Sequence, residues 1–149
     1  MNILNLRPAN SNDYNFLYKL KKKTLKNYIS KTWGWDEGWQ KAYFSKNFKP
    51  ELIKIITILG KDIGCISTLE EDERYFLSLI AILPKYQNQG IGTRLIKDIL
   101  SKAEKNNKLV YLRVLITNSK AQNLYKRLGF LIEEQTETHI IMIYKNFRG

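Results

Sequence analysis

The sequence predicts a mixed α/β fold, α+β in character: a mostly antiparallel sheet of about seven strands with one parallel pair, and about four helices. Three observations carry this. Apolar, β-branched runs at residues 52–59, 63–69 and 75–82 follow one another across short turns, the pattern of a meander. The third run leads through a turn into a long amphipathic stretch, 91–106, and then into another strand-like run, 109–115. Such a strand–helix–strand unit implies a parallel pair, because only antiparallel neighbours can be joined by a hairpin. A last pair of runs, 130–134 and 138–144, reads as a closing hairpin.

Taken in order, residues 3–7 alternate as a first strand that Pro8 ends. Asn10 or Ser11 can cap a helix with Asp13 in its first turn. Leu17, Leu20, Thr24, Leu25 and Tyr28 recur at helical spacing, to about Lys31. Gly34 breaks the helix, and Asp36 can cap a second one to about Phe48, closed by Lys49-Pro50. Gly60-Lys61-Asp62 turns the meander, and 70–74 is a charged turn. A short helix over 119–128 ends at Gly129, well placed as a left-handed terminator.

With 149 residues the chain suits one domain, 1–149, large enough for a real core. A hydrophobic content of 44% with 26% charged residues fits a soluble globular protein. Residues 1–11 hold no apolar signal segment, and no apolar run is long enough for a bilayer. The cytoplasm is the default compartment. One cysteine, Cys65, excludes an internal disulfide framework and reads as a small buried hydrophobe. The net charge of +11 favours anionic partners. Lys19, Lys21, Lys22, Lys23 and Lys26 cluster on the first helix. That cluster reads as a solvated face, because RNA binders interleave aromatics for stacking.

The organising stretch is 83–93, Leu-Pro-Lys-Tyr-Gln-Asn-Gln-Gly-Ile-Gly-Thr. Gly90 and Gly92 stand where a helix begins. Glycine lets a ligand approach the backbone, and the first helical amides lack partners within the helix. The dipole adds partial positive charge, so the place suits a pyrophosphate. A dinucleotide fingerprint would need a third glycine where Leu95 stands, and a Walker loop would need a lysine after Gly92, where Thr93 stands.

What remains, Gln87-x-x-Gly90-x-Gly92, resembles the acyl-CoA pyrophosphate loop of the GNAT superfamily of N-acetyltransferases. A second segment strengthens the resemblance. Asn118, Ala121, Tyr125, Gly129 and Phe130 match the family's Asn-x-x-Ala-x-x-x-Tyr-x-x-x-Gly-Phe, one helix and one strand later. The element order matches the GNAT fold over nearly the whole chain. The segment 33–39 looks like that of prokaryotic members whose acceptors are mostly unassigned.

The resemblance implies a GNAT fold whose central parallel pair, ending at Ile82 and Leu115, splays apart. Acetyl-CoA would be the cofactor. Its pantetheine would pair with backbone at Ile80, Ala81 and Ile82. Its pyrophosphate would rest on amides of Gln87, Asn88, Gln89, Gly90, Ile91, Gly92 and Thr93. A neutral amine would attack the thioester directly in a ternary complex, with a strand N–H steadying the oxyanion. Tyr125 would protonate the leaving thiolate. Asn118 and Ala121 would lie beside the cofactor, Asn118 near the acceptor as well.

The general base departs from the pattern. Some members carry a glutamate where Phe76 stands here. Glu70 or Glu71 could act instead, directly or through water, and His139, the only histidine, is the other candidate. A neutral amine needs no dedicated base. Trp33 and Trp35 read equally as acceptor-pocket wall or as packing residues; as walls, with Asp36 or Glu37 and with His139 from the final hairpin, they would suit an aliphatic or cationic amine. Trp39, inside the second helix, reads as a packing residue. The expected partner is a small-molecule or peptide amine, with no membrane, with nucleic acid not favoured and with a homodimer left open. Two other classes stay in view: a GNAT-fold acyl-CoA-binding module without turnover, and a basic ribosome- or nucleic-acid-associated protein.

Overall fold

A computed structural model describes residues 3–145. The expected domain span of 1–149 and the reading of the N-terminus extend to residues 1, 2 and 146–149, which lie outside them. The strands are β1 (Leu4–Pro8), β2 (Lys54–Ile58), β3 (Lys61–Glu70), β4 (Arg74–Ile82), β5 (Leu109–Leu115), β6 (Leu131–Gln135) and β7 (His139–Tyr144). The helices are α1 (Tyr14–Trp33), α2 (Glu37–Lys46), α3 (Ile91–Lys105) and α4 (Ser119–Arg127). The strands form one mixed sheet in the order β1-β2-β3-β4-β5-β7-β6. The β4–β5 pair is parallel, whereas β1–β2, β2–β3, β5–β7 and β6–β7 are antiparallel. No helix among the described residues is long and apolar enough to cross a membrane.

The described chain falls into two compact units. The first holds residues 3–67 and 79–87. In it β1 feeds a 3₁₀ turn, Ser11–Asp13, closed by a capping box between Asn10 and Asp13. Arg7 grips both oxygens of Asp13 at 2.8 and 3.0 Å and reaches Asp62 at 3.0 Å, tying β1 to α1 and β3. Leu17, Leu20, Ile55, Cys65 and Ala81 form the buried core. Cys65 is the small buried hydrophobe expected, and burial pushes its thiol up to about 12.

Three boundaries in this unit differ from expectation, each for a local reason. Pro50–Leu52 is a 3₁₀ turn led by proline, so β2 starts at Lys54. The meander turns at Leu59 and Gly60, both with positive φ (50° and 77°), as a two-residue hairpin needs. Lys61 and Asp62 therefore already belong to β3. Pro8 stays in β1, opposite Lys54.

The side of α2 turned inward is Gln40, buried, and Phe44, half-buried, continued past the helix end by half-buried Phe48. Those two rings meet Tyr14 and Tyr18 of the α1 segment edge-on at 5.2–5.4 Å. Trp39, expected to pack, is instead 60% exposed and stacks on Tyr43. The buried stripe is 40–44–48, and Trp39 and Tyr43 lie beside it rather than on it.

Gly64 has no alternative. A Cβ there would stand 2.4 Å from the Ala81 carbonyl oxygen, so β4 backbone lies directly against this point of β3.

The second unit holds residues 68–78 and 88–145 of the described chain. Its frame is β5 paired along its length with β7, from Val110↔Tyr144 to Leu115↔His139. Val110, Leu112, Val114, Ile140 and Met142 are buried on this pair, alternating with more exposed neighbours as a half-covered sheet requires. Phe130, expected to open the last hairpin, is 1% exposed and precedes β6, held by its N–H to the Tyr125 carbonyl at 3.0 Å. Gly129, with φ of 99°, makes that turn.

Candidate active site

In the first unit, β4 ends in Ile80, Ala81 and Ile82, with Ala81 buried and the isoleucines half-buried. The Leu83 N–H donates to Ile63 at 2.8 Å. The chain then makes a 3₁₀ turn, Pro84–Tyr86. The Gln87 side-chain amide reaches back to donate to the Ile82 carbonyl at 2.8 Å. Glutamine at the head of the motif thus pins the end of the strand, a job that the motif's spacing does not announce.

In the second unit, Asn88 and Gly90 both take left-handed backbone, with φ of 62° and 80°. Asn88, Gln89 and Gly90 are exposed, while Ile91, Gly92 and Thr93 are half-buried. A Cβ on Gly90 would meet nothing within 4 Å, so its glycine answers a backbone need rather than a packing one. No side chain caps α3, unlike α2 and α4, whose first turns are capped by Asp36 and Asn118. Its first amides keep the positive end of the dipole for an external acceptor. Residues 88–93 therefore form a helix start whose first amides have no side-chain cap.

Asn118 Oδ1 accepts from the Ala121 N–H at 3.1 Å, so the asparagine caps α4, and its side-chain NH₂ is what it can offer elsewhere. One turn on comes Ala121, half-buried, and then Tyr125, 8% exposed. The Tyr125 ring packs on Phe130 at 5.6 Å. Burial alone pushes its hydroxyl up to about 12. No hydrogen-bond partner reaches that hydroxyl among the described residues, yet no sealed, unsatisfied side-chain oxygen occurs among them. The phenol oxygen therefore keeps accessible surface and a free proton.

The three candidate bases divide between the two ends of β5. Glu70 is exposed and paired with Lys108 at 3.2 Å, just before the strand begins. Glu71 is engaged there too, by Arg74 at 2.6 Å and by the Tyr111 hydroxyl at 3.3 Å. His139 pairs with Leu115, the last residue of β5, and the Asn118 N–H donates to the Leu115 carbonyl at 2.9 Å. A seven-residue strand spans about 20 Å at ~3.3 Å per step, so Asn118 and His139 share an end that Glu70 does not. His139 is half-buried, with Nδ1 2.8 Å from Thr138 Oγ1. Burial first, and Arg113 second, lower its pKa, so the ring is a neutral acceptor at neutral pH. Phe76 stacks on Tyr111 at 4.5 Å and offers no proton acceptor.

Of the expected acceptor residues, Trp33, Trp35 and Asp36 lie in the first unit and His139 in the second. Trp33 is the last residue of α1 and 61% exposed, and Gly34, with φ of 83°, ends that helix. Trp35 is half-buried, and its Nε1–H donates to Glu37 at 2.9 Å. Asp36 is engaged as the α2 cap, accepting from the Trp39 N–H at 2.8 Å. Glu37, which the sequence offers beside Asp36 to a cationic amine, is already engaged by Trp35. It also accepts from the Tyr18 hydroxyl at 2.7 Å and pairs with Lys22 at 2.9 Å, and these donors hold its carboxyl down at about 2. Nothing in the spacing of residues 18, 22, 35 and 37 signals that hub. Among the described residues no group of three or more histidine, cysteine, aspartate or glutamate side chains could hold a metal ion.

The profile of the acetyltransferase (GNAT) family matches residues 15–130. The chain belongs to the GNAT family. Among solved structures it is similar to the PaiA N-acetyltransferase of Thermoplasma acidophilum, determined with coenzyme A, at a TM-score of 0.78 and 18% identity. That likeness covers 98% of this chain and 100% of the other, and it shows the fold. Among curated relatives, an N-alpha-acetyltransferase of Sulfurisphaera tokodaii is 45% identical over 53 residues, 34% of this chain and 32% of the relative. A thialysine N-epsilon-acetyltransferase of Mus musculus is 46% identical over 55 residues, 36% of this chain and 32% of the relative. The chain thus spans about a third of the length of these two curated relatives. The GNAT fold expected from the two motifs is the fold found.

Proposed function

We propose that this protein transfers an acetyl group from acetyl-CoA to a primary amine by direct attack in a ternary complex. The observation that carries the reading is membership of the acetyltransferase family over residues 15–130. The local geometry supports it: an uncapped helix start after Gly90 suits a pyrophosphate, and Tyr125 holds a proton without a protein partner. Acetyl-CoA supplies the activated acyl group. The amides of residues 87–93 hold its pyrophosphate, and backbone of Ile80, Ala81 and Ile82 holds its pantetheine.

The amine nitrogen bonds to the thioester carbon and the C–S bond breaks. The nitrogen loses a proton to a base, and the sulfur leaves as a thiolate that solvent water protonates. His139 takes the amine proton rather than Glu70, because His139 shares the Asn118 end of β5 and is neutral at neutral pH. Tyr125 serves the sulfur. With its pKa raised to about 12 the phenol is a weaker acid than a thiol of about 8.5, so its part is a hydrogen bond to the developing thiolate. The free side-chain NH₂ of Asn118 orients the cofactor or acceptor.

The acceptor is a small-molecule or peptide amine. The two curated relatives are named for different amines, an alpha-amine and the epsilon-amine of thialysine, so neither name transfers as it stands. Trp33, Trp35 and Asp36 form the acceptor side. The test is release of free CoA across amino acids, polyamines, aminoglycosides and peptide amino termini. Turnover with at least one acceptor is expected, with an acid limb, lying below the ordinary imidazole range, that His139→Asn removes. If acetyl-CoA stabilises the fold but no acceptor raises CoA release above hydrolysis, the protein is a binding module instead.

A further inference from the structure

The lysine cluster of α1 reads, in sequence, as a solvated face because no aromatic residues are interleaved with it. The fold supplies them from α2. Between residues 14 and 49 nine lysines stand against only Asp36 and Glu37, a net charge of +7 of the chain's +11. Asp36 is engaged as a helix cap and Glu37 by Lys22, so neither acid offsets the rest of that field.

On the outer side of α2, Trp39 and Tyr43 lie one turn apart with centroids 5.1 Å apart and planes within 9° of parallel. They are 60% and 49% exposed. The Lys21 ammonium of α1 stands 5.4 Å from the Tyr43 centroid. Lys46, exposed, follows Tyr43 by three residues and continues the same stripe. Large flat rings left in water beside cations are unfavourable unless something covers them.

We propose that this face binds single-stranded nucleic acid, with a base stacked on Trp39 and backbone phosphates on Lys21 and Lys46. Parallel rings suit a base, since every base has a π-face, and the lysines match a chain of phosphates. A duplex keeps its bases stacked internally and offers the rings nothing. A bilayer surface fits less well. The rest of the exposed side of α2 is Lys41, Ala42 and Ser45, with no apolar belt to enter the acyl region. The inference rests on no part of the acetyl-transfer reading.

The test is fluorescence anisotropy with a labelled twelve-nucleotide oligouridylate, its duplex counterpart and phosphatidylserine vesicles. We expect Kd for the single strand below about 100 µM at about 50 mM salt, weakening steeply by about 200 mM. Trp39→Ala should weaken it at least ~fivefold, the low end for loss of one stacked base. Lys46→Glu, an independent exposed change, should weaken it as well, and both variants should melt like the wild type. The duplex should bind more weakly than the single strand. Absence of binding at low salt overturns the proposal. So does equal binding of single strand and duplex with no effect of Trp39→Ala, which is charge alone, and so does Trp39-dependent binding of vesicles only.

Discussion

Two parts of the chain treat their polar groups in opposite ways. Around β1, α1 and α2 the acids are saturated: Glu37 collects Tyr18, Trp35 and Lys22, and Asp13 collects Arg7 and the Asn10 N–H. At the start of α3 and at Tyr125 of α4 the polar groups are left open. Among the described residues no side chain caps α3, and no group meets the Tyr125 hydroxyl. Tyr18 and Tyr125 make the contrast sharp, since both are buried and both are pushed up to about 12. In Tyr18 a carboxylate partner adds to burial, and in Tyr125 burial acts alone. An equal shift therefore goes with a satisfied hydroxyl in one place and an unpartnered one in the other. The hydrogen-bond partner, not the pKa, tells them apart.

Substitutions that remove one group at a time test that division, and the largest effect belongs to Tyr125. Tyr125→Phe should lower kcat by roughly 10- to 10²-fold, the loss of one hydrogen bond to a group that becomes charged, with acetyl-CoA affinity kept. Its melting temperature should stay near wild type, because no protein hydrogen bond is lost. A folded variant turning over within about twofold of wild type, with chemistry rate-limiting, would remove Tyr125 from the reaction. Next comes Gly90→Glu. It puts bulk and negative charge at the open helix start, so the rise in melting temperature with acetyl-CoA should vanish. A shift equal to that of the wild type would move the pyrophosphate elsewhere.

Tyr18→Phe is the mirror image. It should lower the melting temperature by roughly a few degrees, by removing one donor from Glu37, while kcat holds. A fall in kcat at unchanged stability would reverse the assignment of the two tyrosines. The smallest effect is one of pH. Arg7, named first among the causes, lowers the folded-state pKa of Asp13. A depressed carboxylate adds stability that is full above the unfolded value near 3.9 and is lost as pH falls through the folded one. Asp13→Asn should therefore melt below wild type at pH 7, and the gap should close as the pH drops well under about 4. A gap constant down to pH 2 would mean that the pair contributes by packing rather than by charge.

Both motif segments were legible because they are local. The phosphate loop and α4 each specify their turn, cap and register within about a dozen residues, and their order in the chain supplied the fold. The placement of β5 was readable to the residue, since a β-branched run between a helix and an asparagine has one interpretation. What stayed hidden depends on partners distant in sequence. Arg7 and Asp62 are separated by 55 positions, and Tyr18 and Glu37 by 19. Trp39 was misread because the buried stripe of α2 begins at a glutamine, Gln40, which no hydrophobic period registers. The choice between Glu70 and His139 rested on which end of β5 each occupies, a question of register that spacing alone leaves open.

The approach of β4 to Gly64 has a consequence for how this chain can vary. Glycines 64 and 90 would look alike in a catalogue of indispensable positions, yet they fail for different reasons. Any side chain at 64 collides with the Ala81 carbonyl, a neighbour of backbone that cannot swing aside. At 90 the space is open and only the left-handed backbone selects, which asparagine or aspartate can also adopt. A saturation library sorted for folding alone should return glycine at 64 and a small polar set at 90. The same library sorted for turnover should then narrow 90 and leave 64 as it was, separating by outcome the glycine the sheet requires from the one the chemistry requires.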